Sequence, residues 1–397
     1  MSTLTFEQAR ACVLEKVRAA CSLPAVEGVT LAHAPGRILA EPILADRDLP
    51  PVSRSVRDGF AVRAADLPGD LFIVGEVRAG ESFAADVQPG QAVEIMTGAP
   101  MPLGTDAVVM IEHVTVAGDR VNIPRALVYG ENVSPAASQA RAGEILREPG
   151  KRIDFADVAL LASVGRARVL VYARPTVALL ATGDEIVPVT HTPLAFQVRN
   201  SNVESLAAQV TRAGAIPQIL PVAPDLYAAT RELVEHGLRF DMLLLSGGVS
   251  AGKYDLVETV FADLGAQFFF DRVLIMPGQP LVFGRARDKF FFGLPGNPAS
   301  TMVTFEIFAR AAVELLCGLR EPVLPFVWTR LARELHQKTG LTRFLPACLS
   351  PDGSTVDALP WQGSGDIPTL ARANAFLVTD PDRESWTAGD WMRVLMK

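Results

Sequence analysis

Cysteine is scarce: Cys12, Cys21, Cys317 and Cys348 are scattered through 397 residues, and no two form a CxxC pair. That placement excludes a structural zinc site and a disulfide framework, and it fits a reducing cytoplasm. No uninterrupted apolar run reaches the ~20 residues of a membrane-spanning helix, and no basic, apolar, small-residue leader opens the chain. A soluble cytoplasmic protein with no membrane partner is expected. Positive charge is also short, with 37 Lys and Arg against 44 Asp and Glu and a net charge of −7. Proteins that bind nucleic acid without sequence preference neutralise phosphates with clustered basic residues, so nucleic acid is an unsuitable partner, whereas a nucleotide is not. Also missing are a GxxxxGK[ST] loop, a GxSxG elbow and a GxGxxG at the first helix of the α/β segment, which argues against kinase, hydrolase and simple dehydrogenase chemistry. There is no internal repeat and no low-complexity segment.

What is present is ample core material, with 49% hydrophobic and 20% charged residues, in a chain long enough for two to four domains. Thr5 with Gln8 three residues on predicts a capping box opening a helix over Phe6 to Cys21, with Ala9, Cys12, Val13, Val17 and Ala20 along its apolar face. From Asp46 to Gly143 short β-rich runs are separated by Gly and Pro, predicting a β module inserted into a split first domain. From Pro175 strand-like and helix-like runs alternate, which predicts a doubly wound parallel α/β sheet. A hairpin around PGQ, a strand FFFGLP and a long helix from Pro298 to Leu316 close that unit. Short strands after Phe326 predict a small β-barrel or sandwich. The expected division is 1–45 with 144–174, then 46–143, 175–325 and 326–397.

In open α/β sheets ligands bind beyond the carboxyl ends of the strands, so the turns there are read first. TGDEIV places Thr182, Gly183, Asp184 and Glu185 after an apolar strand, either as a polar turn or as carboxylates for Mg²⁺ shared with substrate phosphates. SGGVSAGKYD combines Gly247, Gly248 and Gly252, which permit tight backbone paths, with Ser246 and Ser250 as donors to an anion; its bland reading is a glycine turn joining strand to helix. Asp241 opens that strand and Asp255 closes the loop, as metal ligands or as a solvated charge and a helix cap. GLPGNPAST sets Pro295, Gly296 and Asn297 in a rigid turn before a helix carrying Ser300 and Thr301. Together the three turns predict a site for a phosphorylated ligand and a metal.

SVRDGFAVRAADL, IMTGAPMPLGTDAVVMIE, LLATGDEIV, RNSN, SGGVSAGKYD, MPGQPLVFG and GLPGNPAS follow one another between residues 55 and 300. In this order they resemble the MoeA-type molybdopterin molybdenumtransferases, related to the gephyrin E domain. The resemblance implies four domains per subunit and a homodimer whose cleft joins the β module of one subunit to the α/β and C-terminal domains of the other. It implies insertion of molybdate into adenylylated molybdopterin with Mg²⁺ and release of AMP. The substrate would come from a molybdopterin adenylyltransferase and the product pass to cofactor-receiving proteins. By the same resemblance Asp58, Thr97 and Glu112 line the cleft from the partner, while Glu185, Asp241, Ser250 and Asp255 hold Mg²⁺ and the pyrophosphate. Ser246, Gly247, Gly248, Pro277, Pro295, Gly296 and Asn297 are implied substrate contacts. Arg343, Ser364 and Ser300 face the molybdate.

Two departures stand out. The family usually reads KPGKP where this chain has Met276, Pro277, Gly278, Gln279 and Pro280, so two lysines expected at the molybdate are absent and molybdate affinity should fall unless Arg272 or Arg343 compensates. The family's NxRxxGED is replaced by Ser134, Ser138 and Gln139. Because a charge-assisted bond to an oxyanion is roughly twice as strong as a neutral one, a second reading follows from these losses: a divergent, non-catalytic paralogue that carries molybdopterin or the finished cofactor.

Overall fold

The computed structural model describes residues 3–248 and 256–397. The predicted site positions Ser250, Gly252 and Asp255 lie outside these residues. Among the described residues, no helix is long and apolar enough to cross a membrane.

The largest unit is built on seven strands in the order Thr3–Leu4, Gln267–Val273, Pro280–Ala286, Lys289–Leu294, Met242–Ser246, Thr176–Ala181 and Ile216–Ile219. The last four run parallel, as expected from their near-continuous apolar runs, which suit strands covered on both faces. On the other side the predicted hairpin around PGQ is present: Pro280–Ala286 is antiparallel to Gln267–Val273 and also to Lys289–Leu294. Its connection to Lys289–Leu294 has only two residues, Arg287 and Asp288, both with positive φ. So short a link can only join antiparallel strands.

Alternation divides the core. Val177, Leu179, Met242, Leu244, Phe290 and Phe292 face the helix Ser201–Ala213 and the helical run beginning at Pro298. Ala178, Leu180, Leu243, Leu245 and Phe291 face the helices Tyr227–Gly237 and Leu256–Asp263. There Phe261 stacks on Phe291 with ring centroids 3.7 Å apart. The predicted long helix to Leu316 is continuous, but its middle residues Phe305–Ala309 form a π turn.

The opening helix Phe6–Ala20 starts with the predicted capping box between Thr5 and Gln8. It buries Phe6, Ala9, Val13 and Val17 against the α/β unit rather than joining residues 26–45. Non-local contacts place it there: Phe6 lies 5.8 Å from Phe308 and 5.3 Å from Phe344 between ring centroids. Arg10 donates to the carbonyl of Ile307 inside the π turn at 2.7 Å.

Val26–Thr30 pairs antiparallel with Arg168–Tyr172, and Ile43–Leu44 with Ile145–Arg147. Leu39, Ile43, Ile153, Leu161, Val169 and Val171 share one core across this join. Between these segments in sequence lies a six-stranded β module, in which Phe60 and Val62 bury against one core and Ala61 against another. At the C-terminal end, Thr342–Leu349, Thr355–Ala358, Phe326–Leu331, Trp391–Met396 and Ala375–Thr379 pair in that order and close back on Thr342–Leu349 as a five-stranded barrel. Ile275–Met276 from the α/β unit adds to it as an outer strand. One element was not foreseen: the short helix Ile367–Arg372, six residues and too brief to show a period.

Candidate functional site

The carboxyl ends of Thr176–Ala181, Met242–Ser246 and Lys289–Leu294 open onto a cleft of about 1390 Å³. Thr182, Gly183 and Glu185 line it from the first turn, Ser246, Gly247 and Gly248 from the second, and Pro295, Gly296 and Asn297 from the third. Arg199 to Asn202 and Pro280 add further wall from the α/β unit, and Gly365 and Ile367 add the barrel side. All three predicted turns therefore meet.

The backbone explains why glycine is needed at the second turn. Gly247 and Gly248 have φ of 92° and 67°. A Cβ on Gly247 would sit 2.9 Å from the Thr182 carbonyl oxygen, and one on Gly248 2.7 Å from Val257 Cγ2. Main-chain bonds lock the turns together: Thr182 N–H donates to Ser246 O and Gly247 N–H to Leu294 O, each at 3.2 Å. Asn202 Nδ2 bridges the second and third turns, donating to Ser246 Oγ at 2.8 Å and to Gly296 O at 2.7 Å. Asn297 precedes the helix Pro298–Thr304 without capping it through its side chain, which leaves its amide available to a ligand.

Asp225 also lines the cleft and was missed by sequence reading. Its signal was available, because it follows the parallel strand Ile216–Ile219, although four residues, Leu220 to Ala223, intervene before Pro224. Its N–H donates to Asp184 at 3.1 Å.

Asp241 is not brought to this cleft. It precedes the first residue of Met242–Ser246, so the length of that strand, roughly 16 Å at ~3.3 Å per residue, separates it from Ser246. Its carboxylate accepts from Thr176 N and Oγ1 at 2.8 and 2.9 Å and from Lys289 Nζ at 3.3 Å. Partial burial works to raise its pKa, but these bonds and the ammonium outweigh it and hold the carboxyl below its usual range. Its position suits fastening of strand starts rather than a metal shared with Glu185.

A second constellation adjoins the cleft. Arg343 is 7% exposed and stands in register with Met276, its Nη1 against the thioether sulfur. Its Nε and Nη2 donate to the Lys338 carbonyl at 3.3 and 3.1 Å, and among the described residues no carboxylate pairs with it. Ala299 N–H donates to Ser364 O at 2.8 Å, tying the barrel loop to the buried Ser300. A Cβ on Gly278 would lie 3.6 Å from Ser300 O, so Pro277 and Gly278 complete the group. Arg272 is exposed on its strand and, like the Gln279 side chain, does not line the cleft. The Gln279 backbone carbonyl accepts from Val273 N–H at 3.0 Å.

Asp58, Thr97 and Glu112 gather at one edge of the β module and do not line the cleft of their own chain. Thr97 donates to Asp58 Oδ1 through both N–H (2.6 Å) and Oγ1 (2.7 Å), which holds this exposed carboxyl below its usual range. Ile111 N–H donates to Asp58 O at 3.1 Å, bringing the turn of Glu112 alongside. Ser134 and Ser138 hydroxyls lie 3.2 Å apart, and Gln139 N–H bonds Leu49 O at 2.8 Å.

For a metal, the cleft offers Glu185 and Asp225. Mg²⁺ is commonly held by one or two carboxylates together with substrate phosphates and water, so this donor set fits it. Among the described residues no group of three or more His, Cys, Asp and Glu could form an all-protein cage.

A mixed α/β unit with an anion-suited cleft, set between a β module and a closed barrel, defines a multidomain ligand-binding architecture. Comparison with known proteins specifies it. Residues 4–165 match the MoeA N-terminal region (domain I and II), residues 178–315 a probable molybdopterin binding domain, and residues 329–396 the MoeA C-terminal region (domain IV). A Bacillus subtilis molybdopterin molybdenumtransferase is 32% identical, covering 96% of this chain and 93% of its own. One from Staphylococcus epidermidis is 30% identical over 93% and 90%. Two crystal structures of molybdopterin biosynthesis MoeA proteins from Pyrococcus horikoshii superpose with TM-scores of 0.82 and 0.74. They have 25% and 29% identity and cover the whole of this chain and 100% and 99% of theirs. The chain belongs to the MoeA family of molybdopterin molybdenumtransferases.

Proposed function

We propose that this protein inserts molybdate into adenylylated molybdopterin and releases AMP, the final step of molybdenum cofactor assembly. The observation that carries the reading is a cleft lined by three donor-rich turns; beside it in support is a nearly buried guanidinium, Arg343, with no carboxylate partner among the described residues. The turns suit a pyrophosphate, with Ser246, Asn297 and the glycine backbone as donors. Arg343 suits a tetrahedral oxyanion by charge-assisted bonding, and the resemblance adds Ser300 and Ser364 to that group.

Magnesium would be held by Glu185 and Asp225, with Asp255 of the glycine turn as the further carboxylate its motif implies, and would neutralise charge on the phosphoanhydride. The chain's own groups orient the two anions so that AMP leaves only when molybdate is seated. We further propose that it works in the cytoplasm as a homodimer, with Asp58, Thr97 and Glu112 facing the partner's cleft. It would receive its substrate from a molybdopterin adenylyltransferase and pass its product to cofactor-receiving proteins.

Met276 supports a second reading, that of a carrier. Its thioether covers one edge of Arg343 where the family reads lysine, and with Gln279 in place of the second lysine the expected cations are two fewer. The test is AMP release by purified protein with Mg²⁺ as molybdate is raised. Molybdate-dependent release is expected; tight pterin binding with no release at saturating molybdate would replace the transferase with the carrier.

A further inference from the structure

We infer that Asn202 is a positioning residue that fixes the Ser246 hydroxyl as a hydrogen-bond donor aimed into the cleft, where a phosphate oxygen accepts it. The inference rests on the proposed phosphorylated ligand. Ser246 ends the central strand; it is only 3% exposed yet forms part of the cleft wall.

Its hydroxyl orientation follows from the amide beside it. Asn202 touches Ser246 Oγ at 2.8 Å and Gly296 O at 2.7 Å through the same atom. A carbonyl oxygen can only accept, so that atom must be the nitrogen; turning the amide over would set two acceptors against each other. Ser246 Oγ therefore accepts from Asn202, and its own proton must point elsewhere. Among the described residues no acceptor receives it. On the far side of the amide, Asn202 Oδ1 is enclosed without any partner among the described residues. An unsatisfied buried acceptor is costly, and one kept beside two good donor contacts shows that the amide is held for what its nitrogen does. Asn202 lies in the first turn of Ser201–Ala213, whose N-cap Asn200 accepts from Val203 N–H, so its backbone is fixed by the helix start.

A merely structural clamp between the two turns would weaken ligand binding whether or not Ser246 carries its hydroxyl. A positioning residue acts only through that hydroxyl. The experiment is a double-mutant cycle with Asn202→Ala, Ser246→Ala and the double variant. Affinity for AMP and for inorganic pyrophosphate is measured by titration calorimetry on the full chain, with thermal unfolding followed in parallel. Each single variant should bind roughly tenfold more weakly, the size of one lost bond to a charged acceptor. The double variant should bind no more weakly than Ser246→Ala.

Additive losses, or unchanged binding in Asn202→Ala, would overturn the inference while leaving the ligand class intact. Wild-type protein that binds neither probe would remove the phosphorylated ligand itself, and the inference with it. Should Asn202→Ala not fold, Asn202→Asp keeps the shape. Its carboxylate would accept the Ser246 proton, so its loss must be larger with Ser246 present than in the Ser246→Ala background, and equal losses would refute the role.

Discussion

Met276→Lys would place a second cation against Arg343, whose guanidinium already rests on the Met276 sulfur and has no carboxylate partner among the described residues. Two unit charges ~5 Å apart repel by about 3 kcal/mol at an effective dielectric of 20 and by less than 1 kcal/mol in water. Arg343 is 7% exposed and Met276 37%, so the pair lies between these limits, on the order of 1–2 kcal/mol. Without an anion the variant should therefore melt below the wild type. A molybdate dianion between the two cations reverses the sign, and the same interaction should return as about tenfold tighter binding, since ~1.4 kcal/mol is a factor of ten. Screening gives a further signature. The Debye length falls from ~10 Å at 0.1 M salt to ~3 Å at 1 M, so the advantage should shrink as salt is added. The assay is molybdate titration followed by thermal shift and calorimetry at low and high salt. An unchanged melting temperature together with unchanged molybdate affinity would show that molybdate does not bind at this junction.

Other perturbations have equally definite outcomes. Gly248→Ala forces a Cβ against Val257 from a left-handed backbone; differential melting should show a loss of about 1–3 kcal/mol, and AMP affinity should fall with it. Asp225→Asn should weaken the Mg²⁺ dependence of AMP release with little change in melting, because the residue is exposed; equal dependence would remove it from the metal set. Asp241→Asn should destabilise by roughly 1 kcal/mol at pH 7, a low figure because 44% of the side chain is exposed and screened. Since the folded pKa lies below the unfolded ~3.9, that contribution is present above ~3.9 and fades as pH falls through the folded value; melting curves of wild type and variant should converge there. Chains carrying Asp58→Ala and chains carrying Arg343→Ala should each be inactive, yet mixed dimers should recover one working cleft of two; no recovery on mixing would place Asp58 outside the partner's cleft.

Signals that are local in sequence were legible. The Thr5–Gln8 box, the apolar strand runs and, as far as the described residues go, the glycine- and proline-marked turns have the predicted form, because each depends on neighbours a few residues away. What an element packs against was harder to read. The periodicity of Phe6–Ala20 marks which face is buried, but only the fold supplies Phe308 and Phe344 as its partners. Asp241 was grouped with Glu185 on the resemblance although it opens its strand, at the end away from the cleft, whereas Asp225, beyond a strand that stops early, was passed over. The contact of Met276 with Arg343 joins the α/β unit to the barrel, and residue spacing alone could not have predicted it.

The most direct measurement counts both products of a single turnover. Purified protein is mixed with adenylylated molybdopterin, Mg²⁺ and molybdate, and AMP by chromatography is compared with pterin-bound molybdenum by elemental analysis. One molybdenum incorporated per AMP released, with neither formed when molybdate is withheld, is the result predicted for a transferase. AMP without incorporated metal, or bound pterin with no AMP at all, would contradict it.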